Sequence, residues 1–224
     1  MSRRTIILAL IAGLFGCNLV ESPLSDVPIS DPNVLQVIAV ANREMTAAGG
    51  VKPTLQVNFY DKHGEYVKIM DGAVLVNGKQ MRDGSYGDYV LDTEPVRPLT
   101  RYTFTVIMSD GSRESCAVRT PADLTKFSVP ATVNTSESFV ITWSETDGSL
   151  PLIVDFVGDT ASVRLIAAVG ATSMRVMPSE LRPLHPGQVL RVTASYVSKG
   201  TVYGGFMSTS RVSSTFSFVR SMRI

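Results

Sequence analysis

From residue 54 onward, apolar side chains recur at every second position in short runs bounded by Gly, Pro, Asn and Asp. Successive side chains of an extended strand point to opposite faces, so this alternation predicts strands buried on one side. In residues 54–60, Leu55, Val57 and Phe59 share one face, and Gln56 and Asn58 the other. Residues 101–106 set Tyr102, Phe104 and Val106 against Arg101, Thr103 and Thr105. Residues 138–143 put Phe139, Ile141 and Trp143 inward, and residues 190–196 oppose Leu190, Val192, Ala194 and Tyr196 to Arg191, Thr193 and Ser195. Chain reversals are expected at Asn77-Gly78, Asp83-Gly84, Asp110-Gly111, Asp147-Gly148 and Lys199-Gly200, where small or φ-tolerant residues separate the runs. Gly204-Gly205, after Tyr203 in a strand-like stretch, predicts a bulge or a close backbone approach. No segment carries a convincing helical period, and residues 177–181 form at most a short turn. The predicted class is all-β, built from packed antiparallel sheets.

A short internal repeat bears on the number of units. Arg97-Pro98-Leu99 precedes the strand at Tyr102, and Arg182-Pro183-Leu184 precedes the strand at Leu190, 85 positions later. Such a spacing suits two tandem β-sandwich domains, joined at Thr120-Pro121-Ala122-Asp123 where Pro interrupts the pattern. In the second unit, Phe139-Val140-Ile141-Thr142-Trp143 resembles the core-tryptophan strand of fibronectin type III and related immunoglobulin-like domains, and Leu184-His185-Pro186-Gly187 resembles their Leu-x-Pro-Gly turn. Leu190 stands where that family usually has a tyrosine that bonds back to the turn. The resemblance implies two immunoglobulin-like or fibronectin type III-like sandwiches, expected over residues 34–122 and 123–224.

The N-terminal region breaks the alternation. Arg3 and Arg4 are followed by an uncharged, apolar stretch over residues 5–16. That is the order of an export signal, and it is too short for the roughly 20 residues that a membrane-spanning helix needs. Leu14-Phe15-Gly16-Cys17 resembles the bacterial lipobox, with Phe15 where Ala or Ser is usual. The resemblance implies cleavage of a signal peptide (residues 1–16), a diacylglyceryl group on the Cys17 sulfur and acylation, typically palmitate, on its new amine. Two or three buried acyl chains hold a protein durably at a membrane, whereas one holds it marginally. Asn18 is not the Asp that retains enteric lipoproteins at the inner membrane, so the expected address is the outer membrane in a cell that has one. Residues 18–33 carry Pro23, Pro28 and Pro32 and read as an extended tether reaching roughly 50 Å.

Composition narrows the partners. Removing residues 1–16 takes away Arg3 and Arg4 and no acid, leaving 19 basic against 20 acidic side chains. A chain so close to neutral lacks the basic face that nucleic acid requires, and nucleic acid is not an expected partner. With Cys17 assigned to lipid, Cys116 has no intramolecular partner, and the sequence Ser115-Cys116-Ala117-Val118 places it in a strand as a small core residue.

Candidate chemistry is sparse. His63 lies in Asp61-Lys62-His63-Gly64-Glu65, whose alternating O, N and O donors would suit a metal but equally suit a solvated turn; His185 sits in a turn before a strand. The sequence contains no Gly-x-Ser-x-Gly elbow, His-Glu-x-x-His, phosphate-binding loop or dinucleotide fingerprint. The expectation is a non-enzyme without cofactor or metal. Tyr86, Tyr89, Tyr203 and Phe206, near Gly-rich turns, are the candidate ligand-contact aromatics, with closure of the sandwich ends as the competing role. The expected function is that of an envelope lipoprotein acting as a binding or assembly module for a protein or glycan; a carbohydrate-binding accessory protein and a structural spacer are the alternatives.

Overall fold

A computed structural model describes residues 21–46, 49–84, 87–144 and 148–224. The alternating runs form strands, and their apolar faces enclose two cores. In the first unit, β1 (Gln36–Met45) pairs antiparallel with β2 (Val51–Tyr60), followed by β3 (Ala73–Val76), β4 (Lys79–Gln80), β5 (Arg82–Asp83), β6 (Asp88–Val90), β7 (Arg101–Ile107) and β8 (Arg113–Arg119). One layer runs β1-β2-β6-β5 and the other β8-β7-β3-β4. Val37, Ala39, Leu55, Val57 and Phe59 from the first layer and Val74, Val76, Phe104, Val106 and Cys116 from the second form the first core. Asn77 and Gly78 both take positive φ, 49° and 80°, as a two-residue reversal between β3 and β4 requires.

The second unit repeats this wiring with β9 (Phe127–Ser128), β10 (Phe139–Trp143), β11 (Ile153–Val157), β12 (Ser162–Ile166), β13 (Ser173–Val176), β14 (Val189–Lys199), β15 (Thr201–Tyr203) and β16 (Arg211–Arg223). Its layers are β13-β10-β9 and β12-β11-β14-β16. Ile141 and Trp143 pack opposite Val154, Phe156, Leu190, Val192 and Ala194. Both units are antiparallel β-sandwiches of immunoglobulin-like, fibronectin type III-like type.

The units are not closed separately. β14 and β16 stay in register from Val189↔Arg223 to Lys199↔Ser213, well beyond the stretch from Val157↔Arg191 to Ile153↔Ser195 that β14 shares with β11. The first part of β16 pairs in parallel with β1, from Ile38↔Arg211 to Met45↔Phe218. The chain leaving β14 crosses to the other layer, where β15 pairs with β8 through Val202↔Cys116. One long hairpin of the second unit therefore covers one edge of each layer of the first sandwich, β1 and β8, while β5 and β4 stay outermost. Phe206 and Val212, beyond the expected boundary at 122/123, belong to the first core.

Two sequence expectations are corrected here. Lys199-Gly200 is no reversal: β14 continues through Gly200 into β15, and Gly200 N–H donates to Val212 O at 2.9 Å. A Cβ at Gly200 would lie 2.1 Å from Ala117 O and 2.7 Å from Val212 Cγ1, so glycine lets the strand change layers against a neighbouring backbone. The reversal comes later, after Tyr203, with Gly204 at φ +91°. The second correction concerns the tether, which from Glu21 onward is docked on the first sandwich. Ser22, Ser25 and Ile29 are buried, and two short 3₁₀ turns (Pro23–Asp26 and Pro32–Val34) lead into β1. Pro23 and Pro32 supply the N-terminal positions of these turns, where a missing N–H costs nothing.

Candidate functional site

The docked N-terminal segment is held by polar contacts as well as by Ile29, Leu24 and Val34 against the first core. Ser22 Oγ donates to Asp61 Oδ2 at 2.7 Å, Ser22 N to Tyr66 O at 2.9 Å, and Tyr66 Oη to Glu21 Oε2 at 2.8 Å. Lys68 N donates to Ser25 Oγ, and Ser109 N, in the β7–β8 turn, to Ile29 O at 3.0 Å. Asp61 organises the site: its other oxygen accepts from His63 N and Glu65 N, at 2.8 and 3.1 Å. Burial pushes the Asp61 carboxyl pKa up, yet the hydrogen bonds from Ser22, Glu65 and His63 outweigh it, and the group sits below the ordinary carboxylate range. Asp61 is thus committed to shaping a turn and receiving the N-terminal segment. His63 and Lys62 remain exposed on that turn. The expected export signal and the expected lipidation site, Cys17, lie outside the described residues.

Among the described residues, the candidate aromatics Tyr89, Tyr203 and Phe206 do not assemble into a platform. Tyr89 is 6% exposed, packs edge-on against Phe59 with ring centres 5.6 Å apart, and its hydroxyl accepts from Ile69 N at 2.8 Å. Phe206 is 7% exposed and fills the first core. Tyr203 is exposed, and its hydroxyl accepts from Arg101 Nη2 at 3.0 Å, which holds the phenol below its usual pKa. Tyr86 lies outside the described residues. The expected contact role of Tyr89 and Phe206 is therefore corrected to core closure, because each ring gains more from burial than a turn position suggests.

The remaining candidates separate rather than converge. Cys116 is buried and its thiol is pushed up to about 12 by desolvation, leaving no thiolate near neutral pH. His185 is exposed in the turn before β14, at the end of the second sandwich where Gly187 N donates to Ile224 O. Among the described residues, no cluster of three His, Cys, Asp or Glu side chains is placed to hold a metal ion. Two clefts among the described residues, of about 160 and 80 Å³, are small beside the roughly 300–1,000 Å³ of ordinary ligand pockets.

Sequence reasoning expected the joint at Thr120-Pro121-Ala122-Asp123 but missed the side chain that holds this segment, Arg43. Arg43 follows Ala39 and Ala41 on the inward face of β1 and is 2% exposed. Its guanidinium pairs with the Asp123 carboxylate, donates to Pro121 O at 2.7 Å and lies 5.1 Å from the centre of the Phe216 ring. One side chain thus ties together β1, the inter-unit linker and the long hairpin. Glu44 adds a looser pair with Arg191 of β14 at 3.8 Å. Also unforeseen was a tyrosine corner in the first unit: Tyr102 Oη accepts from Arg97 N at 2.8 Å and donates to Pro95 O at 3.3 Å. The signal for it, a Pro-Leu pair three to four residues before a strand tyrosine, was present in Pro98-Leu99-Thr100-Arg101-Tyr102.

No protein-family model and no curated protein matches the chain. Among solved structures it is similar to the crystal structure of chicken CNTN1 FN1-FN3 domains, at 15% identity and a TM-score of 0.33, with 88% of this chain and 68% of that one covered.

Proposed function

We propose that the chain is a non-enzymatic, lipid-anchored envelope protein that holds a protein-binding surface at a fixed height above a membrane. The long β14–β16 hairpin carries this reading. By completing the first sandwich from the second, it couples two modules that would otherwise flex about a linker, as a stand-off requires. The anchor is Cys17, by its lipobox-like context, and the outer membrane is the address in a diderm cell because Asn18 is not a retention residue. Contact falls to the loops at the free end of the second sandwich, around residues 129–138, 158–161 and 177–188, since loops on a rigid scaffold carry recognition. Met177 and Val189, 43% and 53% exposed, flank His185 there and suit a protein rather than a glycan.

Two measurements test this proposal. Mass spectrometry of the mature N-terminus should find Cys17 as the first residue, carrying diacylglycerol; an unmodified Cys17, or cleavage elsewhere, defeats the anchor. Photocrosslinkers placed at His185 and Glu137 in intact envelopes should capture one discrete protein, whereas the same group at Lys79 on β4 should not. Capture only from Lys79 would move the contact surface to the first sandwich.

A further inference from the structure

The docked segment dictates which end of the molecule an anchor on Cys17 can reach. Glu21 forms a bridge with Tyr66, which in turn bridges to Tyr60 at the end of β2. Four residue steps separate Glu21 from Cys17, a span of ~14 Å at full extension. The tip of the long hairpin lies at this same end, where Met207 N donates to Leu35 O and Val37 N to Ser210 Oγ, both at 2.9 Å. The second sandwich lies at the other end of β1, where Met45 packs against the second core and Arg43 meets Asp123.

We propose that the β2–β3 end of the first sandwich is a bilayer-contact face, on which the protein stands with its second sandwich pointing away. The inference rests on lipidation of Cys17. The occupant is a lipid surface and not an intervening protein, because one helix layer is ~10 Å thick and would consume most of the leash. Exposed groups at this end are Val27 and Met70, 46% and 41% exposed, with Lys62, His63, Asp26, Asp71 and Asp110 around them. With one lysine against three aspartates these groups are net acidic, so the lipid on Cys17 supplies the attraction, and Val27 and Met70 are the apolar tips that meet the headgroup zone. The two histidines consequently mark opposite ends, His63 at the membrane and His185 away from it.

The test uses the full-length, processed lipoprotein with a bimane label on His63→Cys or on His185→Cys. Each is reconstituted into phosphatidylethanolamine and phosphatidylglycerol vesicles containing a headgroup-nitroxide lipid, with intact mass recorded for each sample. The label at position 63 should be quenched several-fold more than the label at position 185, and twelve Gly/Ser residues inserted after Asn18 should shrink that difference. A lipidated protein whose two labels quench equally, or more strongly at position 185, overturns the bilayer-contact face while leaving the anchor intact. An unmodified Cys17 overturns both.

Discussion

Phe206→Ala removes a ring that the second unit contributes to the first unit's core, and so measures how far the long hairpin unites them. The ring is 7% exposed and packs in the cluster that contains Phe59, Phe104 and Val212. Phe→Ala at a buried site costs 3–5 kcal/mol, and a position near a hairpin tip, where neighbours can relax, belongs at the lower end, about 3 kcal/mol. At an m-value of about 2–3 kcal/mol per molar urea, the midpoint falls by roughly 1–1.5 M. Urea unfolding should be followed in parallel by far-UV circular dichroism and by fluorescence of Trp143, the only tryptophan, which lies in the second core. Both signals should shift together, since loss of the first core releases the hairpin that also supplies two strands of the second. An unchanged midpoint, or a shift in circular dichroism with Trp143 unmoved, would refute the coupling.

Gly200→Ala forces a Cβ to 2.1 Å from Ala117 O, and should cost about 3 kcal/mol, the upper end for overpacking because backbone must move; thermal unfolding reads it. Arg43→Ala leaves the half-buried Asp123 carboxylate and Pro121 O without their donor, at about 2–3 kcal/mol, and a double-mutant cycle with Asp123→Ala should return a coupling above 1 kcal/mol. Asp61 titrates below the ordinary carboxylate value of 3.8 when folded, so its contribution is complete above that value and is lost as pH falls through the folded one. Docking of residues 21–34 should therefore persist at pH 4 and fail on further acidification, with Ser22→Ala moving the failure to higher pH, as limited pepsin digestion would show.

The alternation of apolar positions was enough to read both sandwiches, because in the strands that carry it one face is buried and the other more solvated: Leu55, Val57 and Phe59 are buried while Gln56 and Asn58 are less so. The reversals at Asn77-Gly78 and Asp110-Gly111 were legible because their backbones need the positive φ those residues tolerate. Gly200 was misread for the same reason, since a glycine that frees a turn and one that makes room for a passing carbonyl look alike in sequence. Docking of the proline-rich segment was hidden because its contacts are long-range, many of them polar as with Ser22 and Asp61, and leave no periodicity. Arg43 gave no signal because a charged side chain on an inward position reads as the end of a strand until Asp123 and Phe216 are brought beside it. Tyr89 and Phe206 were placed by proximity to glycine, a poor guide to burial at the ends of a sandwich.

If the long hairpin fixes the two sandwiches as one body, the distance between spin labels on His63→Cys and His185→Cys is fixed with them. Cys116 is buried and will not react, and Cys17→Ser leaves the two introduced thiols as the labelled sites. The labels bracket β16, whose 13 residues alone extend about 40 Å. Double electron–electron resonance should give one narrow distance distribution centred at or above that length, and it should broaden in Gly200→Ala. A broad distribution in the unaltered protein would mean that the sandwiches swing about their linker, and would contradict one fixed body.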